Sequence, residues 1–160
     1  MMRLKTLFLI LAIAAGFTGY GVNASELIVE SPRVRLMPPG AHVSALFVDL
    51  TSREGGAVVE AASPLASNLE LHKTEMHEGT MRMRKIERIP LPAGERVSLK
   101  PGGLHIMLIG LVRDLHLGEK VPVLLKFENG EQVEFNAPVT KVELPRQQTH
   151  HNNMHHDTMK

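Results

Sequence analysis

The 160-residue sequence contains no cysteine. Proteins of oxidising compartments often rely on disulfides, so a fold built from this chain must be held by its hydrophobic core alone. The lack of thiolate also excludes blue-copper electron-transfer sites, di-copper thiolate centres, iron–sulfur clusters and cysteine nucleophiles. Tryptophan is absent and there is a single tyrosine. Methionine is the soft ligand that remains, and nine methionines accompany nine histidines.

An excess of charge of either sign is also missing. Lys and Arg total 18 and Asp and Glu total 17, which gives a net charge of +1. This balance does not indicate a nucleic-acid partner. The chain contains neither a nucleophile elbow nor a His-Glu-x-x-His motif, so a hydrolase is the least favoured class and we predict that the protein is not an enzyme.

The amino end lacks an apolar run long enough to cross a membrane, which takes about 20 residues. Arg3 and Lys5 precede the apolar run Leu7–Ala15, glycines interrupt the sequence from Gly16 onward, and Val22-Asn23-Ala24 places small residues at a cleavage site. This layout predicts a secretory signal peptide over residues 1–24 and a periplasmic protein. Without a cysteine to acylate, no lipid anchor is expected, and hence no stable membrane anchor.

Residues 25–144 are expected to form one all-β domain with a single hydrophobic core, because short apolar runs alternate with turn residues about every ten positions. Ten strands imply a sandwich or Greek-key barrel. Asn129-Gly130 predicts a type I′ hairpin. Helix should be scarce, with at most one turn at Pro64–Leu69. The predicted strands are Leu27–Glu30, Val43–Leu50, Ala57–Ala61, Leu69–His72, Met81–Ile86, Arg96–Leu99, His105–Leu111, Val121–Phe127, Gln132–Phe135 and Val139–Leu144.

Residues 145–160 are polar and have no β-branched run, so they are expected to form a flexible tail. Imidazole clusters bind copper(II) as well as copper(I), and the tail is therefore a candidate accessory copper site. The alternatives are an engineered tag or an inert extension. Its potential ligands are His150, His151, Met154, His155, His156 and Met159.

The pattern that carries the most chemistry is His105-Ile106-Met107, directly after a Pro-Gly-Gly turn. Residues two apart in a strand share a face, so this imidazole and this thioether can bind one ion together. Met83 lies in a second predicted strand, and His72 ends a third. Thioether is a poor ligand for zinc, calcium or magnesium but suits copper(I). The ordinary alternative is that a methionine on a strand packs in the core and a lone histidine is structural.

Other candidate residues carry weaker signals. Met76, His77 and Met81 either pass copper inward, with Met81 an alternative to Met83 in the shell, or form an exposed loop beside a strand. His42 and His116 have no soft partner at a useful spacing, so both are expected to be structural.

The spacing His72-x10-Met83-x21-His105-x-Met107 resembles the motif of the PCuA(C) family of periplasmic copper chaperones. Flanking segments are similar too: Leu69–Thr74, Leu91–Gly94 and Pro101–Leu108. The resemblance covers most of the chain after the signal peptide. Two positions depart from the family pattern, because Arg33 stands where a tryptophan is expected and Ser52 where an asparagine is usual.

This resemblance implies a cupredoxin-like Greek-key β-barrel that binds copper(I) through His72, Met83, His105 and Met107. It also implies copper transfer toward the copper subunit of cytochrome c oxidase or another copper acceptor, often beside a Sco-type thiol protein. Two other function classes stay open on the residues alone. One is a copper-buffering or copper-resistance protein, and the other is an adhesin or assembly domain whose methionines and histidines are incidental.

Overall fold

A computed structural model describes residues 27–143 and shows ten β-strands and no helix in that range. The predicted signal peptide (1–24) and the predicted tail (145–160) lie outside the described residues. The strands are β1 (Leu27–Arg35), β2 (Val43–Ser52), β3 (Gly56–Ala62), β4 (Ala66–His77), β5 (Thr80–Lys85), β6 (Ile89–Leu91), β7 (Arg96–Leu99), β8 (Leu104–Leu111), β9 (Lys120–Phe127) and β10 (Gln132–Thr140).

The strands form one continuous sheet in the order β5-β4-β8-β2-β1-β10-β9-β3-β6, with β7 paired to β2. All pairings are antiparallel except that of β1 with β10, where Val34 lies opposite Val139. Strand β1 thus joins two halves of the sheet. Both halves contribute to one buried cluster, with Leu46 and Ile106 from the first half and Val121 and Leu125 from the second. The predictions of an all-β fold and of a single core are confirmed.

The core leaves the outer face of the first half available for other side chains. In β8, Ile106 and Leu108 are fully buried in the core, and the alternate residues His105 and Met107 point to the opposite face. Strand pairing places residues that lie directly opposite one another on the same face of the sheet. The side chains on the outer face therefore form one continuous surface across β5, β4, β8 and β2.

Strands β4 and β5 form a hairpin whose turn is Glu78-Gly79. Both residues have positive φ, 50° and 77°, as a type I′ turn requires. Every residue of β5 is exposed, so this strand is a free edge of the sheet. The hairpin predicted at Asn129-Gly130 does form, between β9 and β10, but the type I′ turn predicted for it is wrong. Phe127 N donates instead to Glu131 O across a longer turn, and of Asn129 and Gly130 only Gly130 has positive φ.

Three further details of the strand prediction are wrong. Strand β4 begins at Ala66, so the one helical turn that the sequence allowed at Pro64–Leu69 does not form. The two strands predicted near the end are one, β10, because Ala137 is buried and pairs with β9 across the break that Pro138 suggested. Strand β6 was missed, since three residues are too few to give a pattern. No helix within residues 27–143 is long and apolar enough to span a membrane.

Candidate metal centre

Three neighbouring strands bring the four predicted ligands to one outer face of the sheet. His72 of β4 lies directly opposite His105 of β8. Met107 follows His105 by two residues and therefore shares its face. Met83 of β5 lies opposite Thr74, which is two residues from His72 in β4 and on the same face. The register of two strand pairs thus unites residues that are up to 35 positions apart in sequence.

His105 is positioned by the turn that precedes its strand. Its Nδ1 donates to the carbonyl oxygen of Gly103 at 3.0 Å, so the lone pair of the neutral ring lies on Nε2. The turn itself is closed by hydrogen bonds between Lys100 and both Gly103 and Leu104. Only 4% of His105 is exposed. Burial lowers the pKa of His105, repulsion from His72 acts in the same direction, and the bond to Gly103 opposes both. The ring is therefore held as the neutral imidazole that a metal requires.

His72 is held by a carboxylate. Its Nε2 donates to Oε2 of Glu70 at 3.0 Å, which leaves the lone pair on Nδ1. Glu70 is fixed in turn by Lys85, whose Nζ lies 2.9 Å from Oε1, and by the side-chain amide of Asn68. The hydrogen bond from His72, and then that from Lys85, lower the pKa of Glu70. A carboxylate that holds the far nitrogen of a ligating histidine is a common feature of metal sites.

The remaining ring nitrogens have no partner. Of the buried side-chain nitrogen and oxygen atoms in residues 27–143, His72 Nδ1 and His105 Nε2 are those that make no hydrogen bond. The centroids of the two rings lie 5.8 Å apart, with their planes inclined at 45°. An unsatisfied buried polar atom costs about 1–3 kcal/mol. Two such nitrogen atoms on adjacent rings fit a site in which one metal ion would bind both of them.

The thioethers of Met83 and Met107 line a cavity of about 170 Å³ together with His105. Its other walls include Phe47 and Pro101. Met83 is 55% exposed, so it forms the solvent side of the site. No set of three His, Cys, Asp or Glu side chains suited to a metal occurs within the described part of the chain. A metal site on this face would combine the two imidazoles with thioether sulfur, which is the ligand set that the sequence predicts.

Two residues that sequence analysis missed belong to this site. Glu70 had a signal, because it precedes His72 by two residues in a strand and must share its face. Met37 had none: it follows β1 and reaches the cavity only through the fold, where it supplies a third thioether beside Met83 and Met107.

Both departures from the family pattern are explained by contacts. The guanidinium carbon of Arg33 lies 5.8 Å from the centroid of the Phe47 ring, a cation–π distance. Phe47 in turn lies 6.4 Å from the ring of His105, so Arg33 covers the aromatic wall of the site. The Ser52 hydroxyl donates to the carbonyl of Gly55 and accepts from its amide, which closes the turn after β2.

The remaining histidines and methionines of the described chain lie apart from this cavity. His42 is exposed, and the side chain of His116 is 80% exposed near Glu119. Met76 and His77 end β4 and Met81 lies in β5, so these three belong to the hairpin rather than to a loop. A larger groove of about 520 Å³, whose lining includes Glu134, lies on the other half of the sheet. The tail residues His150 to Met159 lie outside the described range.

A family model described as "Putative lipoprotein LpqE-like" matches residues 27–139. A curated relative, "Putative lipoprotein Lxx21020" of Leifsonia xyli subsp. xyli, is 32% identical over 149 residues, which covers 86% of this chain and 90% of the relative.

Solved structures share the fold. The solution structure of apo-DR1885 from Deinococcus radiodurans is 31% identical and covers 91% of this chain and 98% of its own, with a TM-score of 0.60. The copper(I) form, CuI-DR1885, is 28% identical over 80% of this chain and 85% of its own, with a TM-score of 0.53. A copper-bound PCuAC domain from PmoF2 covers 74% of this chain and 93% of the domain at 21% identity and a TM-score of 0.58. The predicted resemblance and the predicted cupredoxin-like fold are confirmed.

Proposed function

This chain belongs to the LpqE-like family and has the fold of PCuAC copper-binding domains, and on that premise we propose that it is a copper(I) carrier. The ion is held by His72 Nδ1, His105 Nε2 and the sulfur atoms of Met83 and Met107. It is cargo that the protein binds and hands on. This role requires four neutral ligands from the chain and no catalytic group.

The observation that carries this proposal is the pair of unpartnered imidazole nitrogens beside a thioether-lined cavity. In each histidine the other nitrogen is already engaged, by Gly103 or by Glu70, so the ring is oriented before the ion arrives. Imidazole ligands that are already oriented lose little conformational entropy on binding.

The nature of the ligands selects the metal. Zinc and the hard divalent ions prefer thiolate, carboxylate or several imidazoles, and this face offers two imidazoles with thioethers. Copper(I) is a soft d¹⁰ ion that accepts neutral sulfur and nitrogen donors. CuI-DR1885, a solved structure of the same fold, is a complex with the same metal in the same oxidation state.

The position of Met83 supports transfer. Its side chain is more than half exposed on the free edge strand β5, so an acceptor can approach from that side and replace one ligand at a time. We assign the acceptor as the copper subunit of cytochrome c oxidase or another copper acceptor, with a Sco-type thiol protein as a further partner. A copper-buffering or copper-resistance protein would use the same site. It would differ from a carrier only in that its copper exchanges slowly with an apo acceptor.

We propose that the carrier works in the periplasm, which it reaches by means of the signal peptide predicted for residues 1–24. Two observations bear on the route. The matched family and the Leifsonia relative are described as lipoproteins, and the present sequence contains no cysteine to acylate. We therefore propose export without a lipid anchor.

The tail is proposed to bind a second copper ion. Its potential ligands are His150, His151, Met154, His155, His156 and Met159.

Copper(I) competition against a chromophoric chelator tests the core assignment. His72→Gln and His105→Gln should each weaken binding of the core ion, whereas His116→Gln, a substitution of an exposed histidine away from the cavity, should leave it unchanged. Binding that is equal in all three variants would place the copper elsewhere. The carrier role is tested separately, by the rate at which loaded protein metallates an apo acceptor.

A further inference from the structure

The β4–β5 hairpin carries methionines that the four-ligand site does not use. Met76 lies directly opposite Met81, and Met83 follows Met81 by two residues. All three therefore share the outer face that also holds His72. Paired residues in an antiparallel ladder have Cβ atoms about 4.5–5.5 Å apart. The side chains of Met76 and Met81 can thus hold their sulfur atoms around one ion.

Packing does not explain why these positions are methionine. Met76 is 63% exposed and Met81 is 38% exposed, and neither belongs to the core or to the residues packed against it. Burial of apolar area is what makes a methionine stabilising, at about 25 cal/mol per Å² removed from water. Side chains that remain in solvent gain little of this. The remaining reason for methionine at these two positions is its sulfur atom, which can bind a soft metal ion.

Within the β4–β5 hairpin, charge does not oppose a cation on the methionine face. Alternate residues of the hairpin point the other way, where Glu75 pairs with both Lys73 and Arg84. On the methionine face, Lys85 is neutralised by Glu70. A monovalent soft ion therefore meets thioethers beside a neutral ion pair.

The methionines also lead toward the core site. Residues two apart in a strand are separated by roughly 6–7 Å, which is the step from Met81 to Met83. Met83 lines the cavity that also contains His105 and Met107. An ion bound at the hairpin is thus one ligand exchange away from a residue of the core site.

We propose that Met76 and Met81 form a second, weaker copper(I) site on the β4–β5 hairpin, from which the ion passes over Met83 to the core site. This inference rests on the proposed function, because it names the entry route to the same centre. The transfer is a ligand exchange in which a sulfur–copper bond to the hairpin breaks as a bond to the core forms. Copper stays in the +1 state, and no proton or electron is transferred.

The first test observes the full-length protein by NMR with ¹³C-labelled methionine methyl groups, titrated with silver(I) as a stable d¹⁰ probe. The first equivalent should shift the methyl signals of Met83 and Met107, and further silver should shift those of Met76 and Met81. Single Met→Leu variants assign each methyl signal, which separates these four from the methionines of the tail. Unshifted Met76 and Met81 signals, with Met83 and Met107 shifted, would overturn the hairpin site and leave the core site standing. If Met83 and Met107 also stay unshifted, the proposed function fails with it.

The second test measures how fast the core loads from copper(I) held by a chelator. The double variant Met76→Leu with Met81→Leu keeps the shape of the hairpin and removes both sulfur atoms. It should load about tenfold more slowly, because the ion loses a tethered intermediate site, while its core affinity at equilibrium stays at the wild-type value. His77→Gln, on the opposite face of the hairpin, is the matched control and should load at the wild-type rate. Equal loading rates in the double variant and the wild type would overturn the entry route.

Discussion

Glu70 should control the affinity of the core site for copper(I) although it does not touch the metal. Its carboxylate accepts the Nε2–H of His72 at 3.0 Å and is itself anchored by Lys85. The carboxylate of Glu70 orients the ring and increases the electron density on Nδ1, and Glu70→Ala removes both effects. Loss of such a partner commonly lowers metal affinity about 10- to 100-fold. Glu70→Gln, which keeps a hydrogen-bonding oxygen but no charge, should fall between the wild type and Glu70→Ala.

The assay is equilibrium competition for copper(I) with a chromophoric chelator at neutral pH. Glu75→Gln is the matched control, because Glu75 lies in the same strand and accepts two ion-pair contacts, from Lys73 and Arg84, on the opposite face. The control should bind copper as the wild type does. An unchanged affinity in Glu70→Ala, or an equal loss in Glu75→Gln, would refute the role assigned to the Glu70–His72 pair.

Three further predictions concern Met83, the pH dependence of copper binding and the tail. Met83→Leu should lower copper(I) affinity at least as far as the loss expected for Glu70→Ala, with the circular dichroism spectrum unchanged because Met83 is largely exposed; tight binding in this variant would exclude Met83 as a ligand. Copper(I) affinity should fall below about pH 6. Burial lowers the pKa of His105 below 6.5, so the fold keeps the ring neutral to a lower pH, and this neutral form is lost as the pH drops through the lowered value; constant affinity from pH 7 to pH 5, measured by the same competition, would contradict this. Truncation after Leu144 should reduce the stoichiometry of tightly bound copper from two to one, the weaker hairpin site not being counted, and an unchanged stoichiometry would assign no ion to the tail.

Part of the arrangement of the predicted ligands follows from strand periodicity, which the sequence displays directly, and the rest depends on the register of β4 with β8 and β5. His105 and Met107 share a face by their spacing of two, whatever the rest of the fold. Glu70 was predictable on the same ground. The position of Met37 depends instead on how the segment after β1 returns to the cavity, and that follows from long-range packing.

The errors in the strand prediction have a related cause. Asn136 and Pro138 are turn residues by local preference, yet β10 runs through them because it pairs with β9 along its length and with β1 at its end. The actual type I′ turn, Glu78-Gly79, carries a residue that rarely adopts positive φ. Local propensity favoured a different turn because the preferences of single residues do not reflect the pairing of β4 with β5.

X-ray absorption at the copper edge tests the central claim most directly. One equivalent of copper(I) bound to the full-length protein should show a shell of both nitrogen and sulfur scatterers. The double variant Met83→Leu with Met107→Leu should lose the sulfur contribution from the core ion while His72 and His105 still supply nitrogen. A shell of nitrogen and oxygen alone in the wild type would contradict the assignment of His72, Met83, His105 and Met107 as the copper ligands.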